Sequence, residues 1–199
     1  MRLYIVRHGE SVSNSEKRWT GWQDVALTER GILEARAVRP LLAGISFDRV
    51  FTSDLQRAFK TAEEALPNVP YEKTALLREM DLGSITGLLY SEVSESTKAV
   101  IKTSGYKALG GESREEFCER IASFMTMLES LDCENVAVFA HGGVLRTVLD
   151  LIIGFKLPRD KVNCSNCAFA VFDYNDQKWM LHSWINLDSP YDEEKQKLL

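Results

Sequence analysis

Two of the three histidines in the sequence share one local context, and that context suggests chemistry. His8 and His141 each follow a short apolar stretch and each precede a glycine. In open α/β sheets, ligands bind outside the carboxyl ends of the strands, so neighbouring strands that both end in His-Gly would aim two imidazoles into one crevice. Either histidine alone fits a residue that caps a strand end or hydrogen-bonds a loop. The pair favours a binding or catalytic site.

Two arginines accompany the histidines at positions that suit an anion. Arg7 directly precedes His8, and Arg57 falls in the first turn of a helix predicted to begin after Ser53. A guanidinium there adds to the positive end of the helix dipole and offers planar, bidentate donors that match a phosphate. The alternative for Arg57 is a solvated surface side chain. Histidines and arginines together predict a site that handles phosphate.

Short apolar strands alternate with helical patterns along the chain. Strands are predicted at 2–7, 49–51, 71–79 and 136–140, with a closing hairpin of 168–173 and 179–185 around Asn175-Asp176. Helices are predicted from Thr28 to about Gly44, from a Ser53–Gln56 capping box to Leu66, weakly around 90–103, from a Ser113–Glu116 capping box to Leu131, and over 143–153. This alternation predicts a single α/β domain with a layered, mostly parallel sheet.

The composition narrows the possible partners. The 199 residues include 24 Lys and Arg against 29 Asp and Glu, a formal charge of −5, so neither nucleic acid nor an anionic membrane is an expected partner. The apolar stretch 3–6 is too short for a signal peptide, and four cysteines without an export signal indicate reduced thiols. We therefore expect a cytoplasmic protein. Cys164-x-x-Cys167 lacks the second pair that a metal ribbon needs, so no metal or redox role is expected for it.

A series of motifs in the first 150 residues resembles the histidine phosphatase superfamily, the phosphoglycerate-mutase-like family. In the family's order, the motifs are Arg7-His8-Gly9-Glu10 with Asn14, Thr20-Gly21-Trp22, Leu27 to Gly31, Ser53 to Ala58 with Thr61-Ala62, Glu79 with Gly83 and Gly87, Gly110 to Ser113, and His141-Gly142-Gly143. The resemblance implies a three-layer sandwich with a mostly parallel central sheet flanked by helices, built as one domain over residues 1–199.

The resemblance also implies the roles of the site residues. His8 would attack phosphorus and become a phosphohistidine, which splits one hard displacement into two easier steps. Arg7 and Arg57 should favour the neutral imidazole that attack requires, and the Gly9 carbonyl is expected to fix its tautomer. Arg7, Arg57 and a cationic His141 would surround the transferring phosphoryl oxygens. The expected phosphate-binding set is completed by Gly9, Asn14, Thr20, Gly21 and Gly142.

Glu79 resembles the family's proton donor to the leaving oxygen, a role in which it should be partly desolvated. From the bare sequence, the alternative is an ordinary surface carboxylate or a salt bridge with Arg78. No cofactor and no metal is expected, since the sequence has neither a nucleotide-binding glycine loop nor a set of metal ligands.

These features predict a metal-independent phosphatase that acts on a small phosphorylated metabolite, as a monomer or a homodimer. A cofactor-dependent phosphoglycerate mutase is the second hypothesis, and a non-catalytic phosphate-binding module is the third. The short Glu79–Gly87 pattern resembles the phosphatase branch, because the mutases carry a longer and more basic insertion there. Residues 84–110 are expected to cover the active site as an insertion that sets substrate choice, and their polar character argues against a large apolar leaving group.

Overall fold

Six strands form one central sheet. The structure, a computed structural model, describes residues 1–158 and 161–187. The strands are β1 (Arg2–Arg7), β2 (Arg49–Ser53), β3 (Glu72–Thr74), β4 (Asn135–Ala140), β5 (Phe169–Asn175) and β6 (Lys178–Ile185), and their order in the sheet is β3-β2-β4-β1-β5-β6. The pairings among β3, β2, β4 and β1 are parallel, whereas β5 runs antiparallel to both of its neighbours. The prediction of a mostly parallel sheet is confirmed.

Helices cover both faces of this sheet. They are α1 (Val12–Ser15), α2 (Glu29–Ala37), α3 (Arg39–Leu42), α4 (Gln56–Ala65), α5 (Glu95–Ser104), α6 (Arg114–Glu129) and α7 (Gly142–Ile153), with 3-10 turns at Ala75–Leu77, Gly83–Ile85 and Tyr106–Leu109. Leu3 and Ile5 of β1 share a core with α6 and α7, and the alternate residues Tyr4 and Val6 share another with α2, α3 and α4. Successive strand residues point to opposite faces, so three layers result, as expected. None of the helices described is long and apolar enough to cross a membrane.

The register of β1 against β4 brings the two histidines to one edge of the sheet. Arg7 lies opposite Ala140, the last residues of their strands, and the His8 N–H donates to the Ala140 carbonyl at 2.9 Å. On the other side of β1, the His8 carbonyl accepts from the Cys167 N–H. His8 and His141 therefore leave the carboxyl ends of adjacent parallel strands, where such sheets place their ligands.

The helix predicted from Thr28 to Gly44 is divided in two. Thr28 is the N-cap as expected, and its side chain accepts from the Gly31 N–H, but α2 ends at Ala37 and α3 begins at Arg39. Pro40 explains the division, because it has no N–H to continue the helical ladder and its ring clashes with the preceding turn.

The capping box predicted for Ser53 and Gln56 is wrong. Ser53 is the last residue of β2, and its hydroxyl accepts from the Leu55 N–H, so α4 begins only at Gln56. Asp24, from a distant loop, accepts instead from the Gln56 N–H at 2.7 Å. Tertiary contact replaces the local cap, and the first turn of α4 still contains Arg57.

Other boundaries shift by a few residues. The strand predicted for 71–79 is only β3, since a 3-10 turn capped by the Thr74 side chain begins at Ala75. The weak helix of 90–103 is α5, which Ser94 caps. The hairpin turns at Asp176-Gln177, where both residues have positive φ, and not at Asn175-Asp176. The Ser113–Glu116 capping box is confirmed at the start of α6.

Candidate active site

His8 and His141 face each other at the carboxyl edge of the sheet. Their ring centroids are 5.2 Å apart, and both side chains are buried. His8 Nδ1 lies 2.7 Å from the Gly9 carbonyl oxygen, an acceptor that requires this nitrogen to carry the proton. The other ring nitrogen, Nε2, is then the one with a free lone pair. The tautomer expected from the sequence is the one that this hydrogen bond fixes.

The surroundings of His8 keep its imidazole neutral. Burial lowers the pKa of His8 well below its ordinary value of 6.5, and the charges of Arg57 and Arg7 lower it further. The hydrogen bond with Gly9 acts in the opposite direction and does not outweigh them. A neutral imidazole is the form that can act as a nucleophile.

Arg57 is held inside the protein and is not a solvated surface side chain. Only 1% of its surface is exposed, and its two terminal nitrogens each donate at 2.8 Å to a backbone carbonyl, those of Gln23 and Gly21. Burial lowers the pKa of Arg57 to about 10, a shift that the carboxylates of Glu79 and Asp24 oppose and that Arg7 increases. The guanidinium therefore stays charged at neutral pH.

Several buried nitrogens at this edge have no hydrogen-bond partner among the described residues. They are Nε of Arg7, Nε of Arg57 and both ring nitrogens of His141. Arg7 uses one terminal nitrogen to donate to the Cys164 carbonyl, which leaves the side chain fixed. Buried donors without partners are costly, so their clustering around His8 indicates a site built for an acceptor-rich group such as phosphate.

The cationic state that the resemblance implies for His141 is not the one that its surroundings favour. The protein's own groups act in the opposite direction: burial lowers the pKa of His141 well below 6.5, followed by the charges of Arg57, His8, Arg7 and Arg120. Within these surroundings the imidazole is neutral at neutral pH. It can still donate one ring N–H to an oxygen.

Glu79 enters the cleft that contains His8 from the loop that follows β3. Its Oε2 accepts from the Gly143 N–H at 3.0 Å and its Oε1 accepts from the Met80 N–H at 2.9 Å. A β-carbon on Gly143 would overlap Oε1, so only glycine allows this approach. The alternative of a salt bridge with Arg78 is wrong, because Arg78 pairs with Asp54. The carboxylate is half-buried.

The remaining predicted residues divide into two groups. Asn14, Thr20 and Gly21 line the cleft, and Asn14 uses its amide oxygen in the cap of α1, so its amide nitrogen is the available donor. Gly9 has both backbone polar groups engaged, with Thr61 and with His8, so it supports the nucleophile from behind. Gly142 is buried at the start of α7, and the neighbouring Gly143 is the glycine that lines the cleft.

A cleft of about 530 Å³ opens from His8 to the surface, and His141 lies behind His8, fully buried and outside the cleft lining. Its walls also contain Gly143 of the last motif and residues that the sequence analysis did not select: Arg18, Trp19, Met80, Leu82, Tyr90, Tyr106, Arg114, Phe117 and Arg146. The sequence offers two signals among them: the spacing of Arg146 after His141 on one predicted helix, and the place of Tyr90 and Tyr106 in the segment 84–110. The others arrive through loops and helices far apart in sequence. Over the described residues, no group of three or more histidine, cysteine or acidic side chains could hold a metal ion.

The comparisons with known proteins agree with this geometry. The family model of the histidine phosphatase superfamily (branch 1) matches residues 3–187. A relative from Salmonella paratyphi A named "Probable phosphoglycerate mutase GpmB" is 28% identical, over 99% of this chain and all of the relative. Among solved structures, an alpha-ribazole phosphatase from Shigella flexneri has a TM-score of 0.82 at 27% identity, covering 94% of this chain and all of its own. A phosphoglycerate mutase from Thermus thermophilus has a TM-score of 0.71 at 31% identity, with the same coverage. Since the family model spans residues 3–187, nearly the whole chain, the chain belongs to branch 1 of the histidine phosphatase superfamily.

Proposed function

We propose that the chain is a metal-independent phosphatase that hydrolyses a small phosphomonoester through a phosphohistidine on His8. The observation that carries the proposal is His8 itself, neutral, with its tautomer fixed by Gly9, in a cleft beside unpartnered guanidinium nitrogens of Arg7 and Arg57. Charge stabilisation and positioning are the main contributions of protein groups to phosphoryl transfer.

In the first step, the Nε2 lone pair of His8 attacks phosphorus while the ester P–O bond breaks. The leaving oxygen takes a proton from Glu79, because an alkoxide is a poor leaving group and a positioned acid accelerates its departure by roughly 10²–10⁴-fold. Arg7, Arg57 and an N–H of His141 hold the three phosphoryl oxygens.

In the second step, water replaces the alcohol. The Glu79 carboxylate removes a proton from the water as its oxygen attacks phosphorus, the N–P bond breaks, and inorganic phosphate leaves with His8 neutral again. Glu79 is held by the N–H groups of Gly143 and Met80, so its carboxyl is fixed for both steps.

A phosphoglycerate mutase is the second candidate. In that reaction the phosphohistidine returns its phosphoryl group to the bound organic substrate. Arg114 and Arg146 favour it, because they supply the cleft with basic groups from α6 and α7 that the sequence does not show near Glu79. Arg114 is, however, paired with Asp150 at 2.7 Å, and the Shigella alpha-ribazole phosphatase has a higher TM-score than the Thermus phosphoglycerate mutase.

The proposal includes the segment 84–110 as a cover that sets substrate choice. Its Tyr90 and Tyr106 line the cleft. A cleft of about 530 Å³ suits a small phosphorylated metabolite.

The four cysteines, all within the described residues, are not in disulfides, which supports a cytoplasmic location.

Phosphate release from a panel of small phosphomonoesters, measured in EDTA, tests the function. We expect release by the native chain, none by His8→Ala, and unchanged release by His182→Ala, since His182 is an exposed residue of β6 outside the cleft. When the reaction is stopped rapidly with base and not with acid, the chain should carry a phosphoryl group on His8 that is stable in base and is lost in acid. Equal activity in His8→Ala, or a requirement for added metal, would refute the mechanism. Interconversion of phosphoglycerates without phosphate release would establish the mutase, and binding without turnover would establish the non-catalytic module.

A further inference from the structure

The outer half of the cleft has an aromatic wall, defined here as Trp19, Tyr90 and Tyr106. The Trp19 ring meets Tyr90 at a centroid distance of 5.1 Å and Tyr106 at 6.5 Å, both at steep interplanar angles. All three side chains line the cleft that contains His8. Tyr90 lines the cleft and keeps 46% of its surface exposed, so its side chain is not sealed by the protein's own packing.

Backbone hydrogen bonds hold this wall in place. The Trp19 N–H donates to the Leu88 carbonyl, the Tyr90 N–H donates to the Lys17 carbonyl, and Arg18 and Leu89 form an isolated antiparallel bridge between them. The loop before the cleft and the segment after Glu79 are therefore paired like two short strands. Aromatic faces fixed in advance bind a ligand at a lower cost in conformational entropy.

Further apolar residues line the same cleft. Met80, Leu82 and Phe117 line it, and Leu82 packs in a small core with Ile85 and Val93 beneath the aromatic wall. The segment 84–110 is polar in composition, yet the residues it contributes to the cleft are Tyr90 and Tyr106. Its polar side chains lie elsewhere, so the composition of the segment does not describe the surface that meets the substrate.

Charge in the outer cleft is largely neutralised by protein carboxylates. Arg18 pairs with Glu16 and Arg114 pairs with Asp150, so neither presents an unpaired charge. Arg146 lies next to the phosphate end, since the place of a β-carbon on Gly142 is 3.4 Å from Arg7 Nε and 3.5 Å from Arg146 Nη1. The strong positive field therefore belongs to the inner cleft, and the outer cleft offers mainly aromatic and aliphatic contact.

We propose that the substrate is a phosphomonoester whose alcohol carries a flat aromatic ring a few bonds from the esterified oxygen, with the ring against Trp19, Tyr90 and Tyr106. This inference rests on the proposed function for the phosphate end and adds the chemistry of the leaving alcohol. It replaces the sequence-based expectation against a large apolar leaving group. Tyr90 and Tyr106 then determine specificity and take no part in the bond changes.

Three phosphate esters of matched leaving-group acidity test the proposal: propyl, 3-phenylpropyl and 3-cyclohexylpropyl phosphate. Each is a primary alkyl ester, so differences in kcat/KM report contact with the distal group and not the ease of P–O cleavage. Burial of part of a phenyl ring should raise kcat/KM about tenfold or more for the phenylpropyl over the propyl ester. The cyclohexyl ester should fall clearly below the phenyl ester, because a saturated ring is thicker and lacks an aromatic face.

Variants of Tyr90 then locate the contact. The phenyl preference is the ratio of kcat/KM for the phenylpropyl ester to kcat/KM for the propyl ester. Tyr90→Ala should reduce this ratio to its square root or less, and Tyr90→Phe should keep it. Phe155→Ala, which changes an exposed aromatic residue outside the cleft, should leave the ratio unchanged. Equal kcat/KM for the propyl and phenylpropyl esters would overturn the proposal. So would a cyclohexyl ester as good as the phenyl ester, or a preference that Tyr90→Ala does not alter.

Binding to His8→Ala, measured by calorimetry with the same three esters, separates this inference from the proposed function. A phenyl preference in binding that persists while the native chain releases no phosphate would refute hydrolysis and support the aromatic wall. Hydrolysis of all three esters at one rate, with no preference in binding, would support hydrolysis and refute the wall.

Discussion

Arg120 of α6 fixes the backbone that carries Glu79, and its replacement gives the sharpest test of Glu79 as the proton donor. Its Nη1 donates to the carbonyls of Leu76 and Arg78 at 2.8 and 2.9 Å, and its Nη2 donates to the Glu79 carbonyl at 3.2 Å. Glu112 accepts from the same guanidinium at 2.9 and 2.8 Å. One side chain thus holds the main chain from Leu76 up to Glu79.

The expected effect of Arg120→Met on stability follows from these contacts. The pair with Glu112 is largely buried, with side chains 15% and 11% exposed. The change removes the guanidinium from that carboxylate and from the carbonyls of Leu76 and Arg78, whereas the Glu79 carbonyl keeps the Trp22 indole N–H as a donor. Breaking such a pair costs about 3 kcal/mol of the free energy of unfolding. The matched control Arg36→Met breaks an exposed pair with Glu64 and should cost far less, because solvent screens such a pair. Urea unfolding measures both.

The effect on activity depends on the leaving group. A displacement of about 1 Å at the acid can cost about 10²-fold in rate for an alkyl ester such as propyl phosphate. 4-Nitrophenyl phosphate needs no proton on its leaving oxygen, so its kcat/KM should fall by about threefold or less. Equal losses for both esters would refute the view that Arg120 acts through Glu79. Addition of Glu112→Gln should recover part of the lost stability, because the uncompensated carboxylate is then gone.

Further predictions concern the histidines and Gly143. Since the native pKa values of His8 and His141 lie below 6.5, the unfolded chain binds more protons as pH falls, so stability is lost below about pH 6.5 at up to about 1.4 kcal/mol per pH unit for each histidine. Urea unfolding between pH 7.5 and 5.5 measures this, and His141→Asn should remove one histidine's share; a flat profile would contradict the burial argument. Gly143→Ala should displace Glu79 and lower kcat/KM for propyl phosphate more than for 4-nitrophenyl phosphate; the reverse pattern would place Glu79 outside the reaction. The control Gly44→Ala meets no neighbouring atom but strains a backbone with φ of +77° far from the cleft, so it should affect both esters equally.

The inner site was accessible from the sequence because local rules determine it. A strand that ends in His-Gly, next to a parallel strand that ends the same way, puts both imidazoles at one edge whatever the rest of the chain does. The same rule did not reveal Arg120 or the aromatic wall. Arg120 contacts the Glu79 backbone from α6, and Tyr90 reaches the cleft because its segment pairs with the loop at Lys17. Such contacts depend on tertiary packing, which no periodicity records. Ser53 shows the same limit, since Asp24 replaces a local cap.

The pairing of β1 with β4 has a consequence for synthesis on the ribosome. His8 emerges near the beginning of translation, but its backbone partners at Ala140 and Cys167 emerge only near the end. Until both have been made, the imidazole lacks its neighbouring strands and behaves as an ordinary solvated histidine. Long-range pairing of this kind forms late, because loop closure must precede it. The phosphoryl-transfer capacity proposed for His8 should therefore arise in a single late event, and chains released before residue 167 should have none.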